Sequence, residues 1–142
     1  MKKIHYGLIT GATSGIGKAM AYFLSNKKIP LMITGRNSTL LKKIAAEIGA
    51  DYFPANLSNK EERKNLLLWS LKKNPDLIIN AAGYGTYGWI DNYPIQEQMD
   101  MLEVNASALS EITLTYLNSW KEKQQQGTIL NIASLLARAP FW

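Results

Sequence analysis

The chain has 142 residues, 46% of them hydrophobic, enough for one domain with a two-layer or three-layer core, and a single unit over 1–142 is the expectation. It contains no cysteine, which excludes disulfides and a thiolate zinc site, and its lone histidine, His5, cannot form a metal cluster by itself. The formal net charge of +5 comes from lysines spread over predicted helix surfaces, among them Lys42, Lys43, Lys72 and Lys73, without the clustering and recognisable module that nucleic-acid binding calls for.

Met1-Lys2-Lys3 precedes an apolar residue, but the next run is broken by His5 and then by glycine, so no secretory h-region forms. No later stretch is long and apolar enough to span a bilayer, and a cytoplasmic location is expected.

Ile4 to Thr10 reads as a buried parallel strand. It ends in Gly11-x-x-x-Gly15-x-Gly17, and a helical pattern succeeds it at Ile16, Ala19, Met20, Phe23 and Leu24. Strand, tight turn and helix make a corner where bare backbone and the unpaired N–H groups of a first helical turn favour phosphate. The spacing is not that of a P-loop, because Ala12 and Ala19 stand where glycine and the magnesium-binding hydroxyl belong. Nor is it Gly-x-Gly-x-x-Gly, since position 13 is Thr; a purely structural turn would use the same glycines. Thr10-Gly11-x-x-x-Gly15-Ile16-Gly17 resembles the cofactor turn of the short-chain dehydrogenases/reductases, in the non-extended branch of that family. The resemblance implies dinucleotide contacts from Gly11, Thr13, Ser14, Gly15, Ile16 and Gly17.

The helix runs to about Lys27, Pro30 prevents its continuation, and Leu31 to Thr34 is the second strand. Gly35-Arg36-Asn37 lies at its carboxyl end. In a dinucleotide fold an acidic residue here takes the ribose hydroxyls of NAD, whereas arginine accommodates the 2′-phosphate of NADP. No carboxylate competes with Arg36, so NADP(H) is the expected cofactor; an ordinary exposed loop arginine is the plainer alternative.

Asn37 or Ser38 caps a second helix with Leu41, Ile44, Ala45 and Ile48 on its apolar face and Gly49 as its stop. Asp51 to Phe53 is a short third strand. Ser58 and Glu61 have capping-box spacing ahead of a helix that buries Leu66, Leu67, Trp69 and Leu71. Asn56-Leu57 stands where the resembled family has Asp followed by Leu or Val against the adenine, and the Asn oxygen can serve an adenine amino group.

Leu77 to Gly83 is the fourth strand and its exit, similar to the family's Asn-Asn-Ala-Gly segment with Ala81 in the second position. Asn80, Ala81 and Gly83 are assigned to the cofactor, and Asn80 is placed to tie neighbouring strands together. The loop from Tyr84 to Trp89, with Tyr87 inside it, either lines a substrate pocket or covers the sheet edge.

A long helix is expected from Pro94 to about Gln126, with Leu102, Ala106, Leu109, Thr113, Tyr116, Leu117 and Trp120 along one side and Met101, Ala108, Ile112 and Leu114 on others. That apolar surface is wider than one sheet needs, so a homo-oligomer through residues 101–120 is expected. Asn105 within it resembles the family's Asn that helps hold a proton-relay water, with a solvent-facing Asn as the alternative. Gly127 to Ser134 is the fifth strand, and Ser134 matches the family's catalytic Ser, implying a hydrogen bond to a substrate oxygen.

The whole then reads as a Rossmann-type, doubly wound α/β/α fold with five parallel strands in the order 3-2-1-4-5, an incomplete version of the family fold. The family's Tyr-x-x-x-Lys pair is absent: none of the seven tyrosines has a lysine four residues later. A truncated gene product, an excised fragment or a frameshifted remnant would each explain this. The expected function is NADP(H)-dependent hydride transfer to or from a small-molecule carbonyl or alcohol, with this chain as a cofactor-binding part that is inactive alone. The alternative is a non-catalytic NADP-binding module acting through a partner.

Overall fold

The structure, a computed structural model, describes residues 4–86 and 88–134. Residues 1–3 and 135–142 lie outside it, as does Tyr87 of the aromatic loop. The strands β1 (Gly7–Thr10), β2 (Leu31–Gly35), β3 (Asp51–Pro54), β4 (Leu77–Asn80) and β5 (Thr128–Asn131) form one parallel sheet in the order β3-β2-β1-β4-β5. They alternate with α1 (Gly15–Asn26), α2 (Ser38–Ile48), α3 (Lys60–Leu71), α4 (Ile95–Leu102) and α5 (Leu109–Glu122). The expected fold is the observed one.

Successive residues of a strand face opposite sides, so a strand covered on both faces must be apolar throughout. Leu8, Met32 and Ile78 are register neighbours and enter the core beneath α3 and α5. Ile9, Ile33 and Ile79 point the other way, against Ala21 and Leu24 of α1 and Leu41, Ile44 and Ala45 of α2. The ladder of β1 begins at Gly7 rather than Ile4, because the preceding backbone is held by a side chain. Buried Asp76 accepts from the N–H of His5 at 2.9 Å, from the N–H of Tyr6 at 3.1 Å and from His5 Nδ1 at 3.0 Å.

The helix ends explain themselves locally. Asn37 Oδ1 accepts from the N–H of Leu40 at 2.9 Å, and Gly49 closes α2 in the left-handed region at φ +66°, as the sequence suggests. The Ser58–Glu61 capping box does not form. Ser58 gives both its N–H and its hydroxyl to Asn56 Oδ1, so the cap falls one residue later, where Asn59 Oδ1 takes the N–H groups of Glu61 and Glu62 at 2.9 and 3.1 Å.

The long helix is not continuous. Between α4 and α5 a π-helical segment spans Glu103–Ala108, and its i→i+5 turns take up extra residues and rotate α5 relative to α4. The buried line is Val104, Ala108, Ile112, Tyr116 and Trp120, while Leu102, Ala106 and Leu117, expected on the same side as Tyr116 and Trp120, are exposed. Tyr116 lies wholly in the core, and burial pushes its hydroxyl up to about 12 although Ser70 Oγ, 2.5 Å away, pulls it down. Trp120 donates from Nε1 to the carbonyl of Pro75 at 2.8 Å.

β5 ends at Asn131, three residues short of Ser134, and pairs on one side only, with β4. Just before it, a Cβ on Gly127 would lie 2.3 Å from the Trp120 ring. The ring is buried and tethered, so it cannot swing aside. Gly127→Ala should cost about 1–3 kcal/mol, read as a fall in melting temperature of roughly 4–12 °C by differential scanning fluorimetry.

Asp76 supplies a second prediction. Burial alone would raise its carboxyl, but the hydrogen bonds from Tyr6 and His5 outweigh it and hold the group below the ordinary carboxylate value. A carboxyl with a lower pKa folded than unfolded contributes stability above the unfolded value and loses it as pH falls toward the folded one. Below pH 4 the wild type should therefore lose melting temperature faster than Asp76→Asn, which carries no titrating carboxyl.

Candidate functional site

Two clefts open at the carboxyl edge of the sheet, between the ends of β1 and β4, where the crossovers reverse direction. The seam between those strand ends is tight. Thr10 is buried, and its Oγ1 accepts from the N–H groups of Ala81 and Ala82, each at 3.1 Å. A Cβ on Gly11 would come within 2.7 Å of Ala82 Cα, and one on Gly17 within 2.4 Å of the Gly11 carbonyl oxygen. Gly15 is different: at φ +49° its side-chain position meets nothing within 4 Å and faces the second cleft. Two glycines let backbones touch; the third leaves space.

That space adjoins an uncapped helix. Ser14 stands at the N-cap of α1 without a side-chain capping bond, whereas α2 and α3 are capped by Asn37 and Asn59. The first-turn N–H groups of α1 thus point at the glycine corner with the positive end of the helix dipole behind them.

The first cleft is walled by the glycine corner, by Gly35 and Arg36 after β2, by Ala55 and Leu57 after β3, and by Ala81 to Tyr84 and Val104. Thr13 packs on Gly35, where an added Cβ would meet its methyl at 2.9 Å. The Arg36 guanidinium lies 5.2 Å above the centre of the Tyr84 ring. Arg36 is the charged side chain of this lining, and no carboxylate lines the cleft among the described residues. An anion fits here on charge and on free donors.

The neighbouring asparagines are committed elsewhere. Asn37 Oδ1 caps α2, and Asn56 Oδ1 is taken by Ser58, while Leu57 is buried in the cleft wall. Asn80 is buried and donates to Asn131 Oδ1 at 2.9 Å and to Thr113 Oγ1 at 3.2 Å, the tie between strands expected of it; its own Oδ1 has no partner.

The second cleft joins Ser14 to Ile16 with Ala81 to Gly85, Met101, Asn105, Leu109 and Ser134. Asn105 and Ser134 therefore share one cavity, whose lining does not include Arg36. Asn105 does not simply face solvent: its Nδ2 donates to the Tyr84 carbonyl at 2.7 Å and its Oδ1 accepts the Tyr84 N–H at 3.1 Å. Gly83 is close beneath, for its Cβ would lie 3.1 Å from that oxygen. Tyr84 is thus clamped by backbone and stacked by ring. Burial raises its phenol above the ordinary value, Asp100 and Glu97 add to that, and Arg36 opposes it.

Sequence reasoning missed two members of this arrangement, Tyr84 as its hub and Arg63 behind its wall. Arg63, Leu66, Leu67 and Ser70 fall at i, i+3, i+4 and i+7 and all are buried, so a charged residue on an apolar stripe was the available signal.

An open parallel sheet with a glycine corner and a cleft at its switch point defines a Rossmann-type α/β protein. Over residues 6–142 the sequence matches the short chain dehydrogenase family, and the chain belongs to that family. It is 31% identical over 133 residues to an uncharacterised oxidoreductase of Staphylococcus aureus, a match covering 90% of this chain and 57% of the relative. The fold superposes with a TM-score of 0.89 on a short-chain dehydrogenase from Sphingobium yanoikuyae in complex with NADPH, at 22% identity over 96% of this chain and 56% of that one. It also resembles a 4-hydroxyisoleucine dehydrogenase complexed with NADH, at 28% identity and a TM-score of 0.83, covering 92% of this chain and 55% of that one. The chain spans less than two thirds of the length of these proteins.

The division among the glycines is measurable. Gly17→Ala forces backbone apart and should destabilise by about 2–4 kcal/mol or prevent folding. Gly15→Ala meets no atom and costs only its left-handed φ, about 1–2 kcal/mol. Chemical denaturation of the two variants side by side gives that order; the reverse order contradicts the assignment.

Proposed function

We propose that this chain is the NADP(H)-binding part of a short-chain oxidoreductase that moves hydride between the nicotinamide and the carbonyl or alcohol carbon of a small molecule. The observation that carries the reading is an uncapped helix start beside open glycine backbone, with Arg36 as the charged lining residue and no carboxylate beside it. Relatives of the same fold hold NADPH or NADH, so the choice of NADP rests on Arg36.

When bound, the nicotinamide supplies or accepts the hydride. The chain's own residues do the rest. N–H groups from Gly15 to Gly17 hold the pyrophosphate, with Gly11, Thr13 and Ser14 shaping the corner. Arg36, now over the Tyr84 ring, would take the 2′-phosphate, next to Asn37, and Ala55 and Leu57 would flank the adenine. With its oxygen engaged by Ser58, Asn56 serves chiefly to set the turn that presents Leu57. Ala81 and Gly83 would bring strand-exit backbone against the cofactor, and Asn80, buried behind them, ties the strands that carry it. Ser134 donates to the substrate oxygen as negative charge develops there. Asn105 holds the wall on which a proton-relay water would sit.

No tyrosine of this sequence has a lysine four residues on, so the usual proton donor of the family is not among these 142 residues. The 142-residue unit binds cofactor and does not turn substrate over alone. The family match lends no support to the alternative of a non-catalytic module. The exposed Ile95, Met99, Leu102, Leu114 and Leu117 of α4 and α5 suit a second copy of the chain. No helix of the described residues is long and apolar enough to cross a membrane, in keeping with a cytoplasmic site of action.

The test is cofactor titration. A hydrogen bond to a charged group is worth ~1.5–3 kcal/mol, so Arg36→Ala should weaken NADPH binding roughly ten- to a hundredfold and leave NADH little changed. Equal losses for both dinucleotides, followed by cofactor fluorescence, would sink the 2′-phosphate role.

A further inference from the structure

Arg63 is a charged side chain only 3% exposed, and it makes no contact with either cleft's open space. Its Nη1 donates to the carbonyl of Leu57 at 2.6 Å and to Glu103 Oε2 at 3.0 Å, and its Nε donates to Glu111 Oε2 at 2.8 Å. These partners come from three elements, one just before Arg63 in the chain and two some forty residues beyond it. Leu57 belongs to the loop after β3 and walls the first cleft. Glu103 opens the π-helical segment, and the next two residues are Val104, in the wall of the first cleft, and Asn105, which clamps Tyr84. Glu111 lies in the first turn of α5.

An arginine in this position is costly to bury. Replacing buried ion pairs by apolar residues of similar volume is often neutral or stabilising, and Leu66 and Leu67 show that the same stripe accepts leucine. Packing alone gives no reason for a guanidinium here. Geometry does: a planar fork with rigid donors fixes the separation and orientation of the groups it joins, which an apolar side chain cannot do and a lysine does only in part. The π-helical segment also needs such a brace, because its turn is less favourable than the α-helix on either side.

We propose that Arg63 is a positioning residue for the cofactor cleft, holding the β3–α3 loop and the π-helical segment at a fixed separation so that Leu57, Val104 and the Asn105–Tyr84 clamp present one preformed surface. The inference rests on the cofactor reading of that cleft. It differs from the role of Arg36 in a way that can be read out, since Arg63 shapes the cleft for any dinucleotide and does not select between them.

The experiment uses the full chain and measures NADPH and NADH dissociation constants by fluorescence titration, with far-UV circular dichroism and melting temperature as controls, well below the transition. Arg63→Met keeps length and volume without donors; Glu103→Ala removes one tie and leaves Arg63 in place. Each should weaken NADPH and NADH alike, about tenfold, the double variant should lose no more than the worse single one, and Arg63→Lys should recover part of the loss. Wild-type affinity in folded Arg63→Met, losses that multiply in the double variant, or a loss confined to NADPH would each overturn the proposal. If Arg63→Met does not fold, Glu103→Ala and Arg63→Lys decide by the same criteria: equal weakening of both cofactors supports it and unchanged affinity overturns it. A wild type that binds neither dinucleotide overturns the cofactor reading together with this one, whereas normal wild-type binding with an unaffected variant overturns this one alone.

Discussion

Thr10 ends β1 with its hydroxyl buried against two backbone amides, those of Ala81 and Ala82, which would otherwise be orphaned where β4 leaves the sheet. Because those two strands carry helices away in opposite directions along the sheet, the same point is where a crevice has to open. The hydroxyl thus does two things at once: it closes the sheet's centre and sets the floor of both clefts. Gly11 and Gly17 follow from it, since only bare backbone allows α1 to start so close to that seam.

Everything polar around the crevice is arranged with respect to this floor. Asn80, one residue upstream of the seam, ties β4 to β5 and to α5. Asn105 reaches over from the π-helical segment to hold Tyr84, just past the seam, and the Tyr84 ring in turn carries Arg36. The result is a continuous path of contacts from the end of β2 to the π-helical segment, passing across the carboxyl edge of the sheet.

Most of the fold was legible because it is encoded locally. Three short apolar strands covered on both faces, β1, β2 and β4, a glycine stop at Gly49 and an asparagine cap at Asn37 are all signals within a few residues. The glycine corner was readable for the same reason. The features that local reading missed had three different sources: a change of helical pitch, a contest between neighbouring caps and contacts between distant parts of the chain. The π-helical segment shifted the buried line onto Val104, Ala108 and Ile112, and no periodicity in residues 94–126 announces a turn of the wrong pitch. Ser58 lost its capping role to an Asx turn made by Asn56, a competition between two equally local motifs. Arg63 could be placed only once Glu103 and Glu111, forty and forty-eight residues away, were known to lie beside it.

The seam also dictates an order of events at the ribosome. Its two partners are separated by 71 and 72 residues, whereas β1 and β2 are neighbours in the chain. At about 5–20 residues per second, the glycine corner, once made, waits roughly 4–14 s for β4 to arrive. During that interval β1 can pair with β2 alone, and one of its edges and the Thr10 hydroxyl stay open to water or to other chains. Closing so long a loop is entropically slow as well. A strand made well before its second neighbour is therefore among the last to be fully paired, and a nascent chain is most exposed to mispairing along the strand that later forms the middle of the sheet.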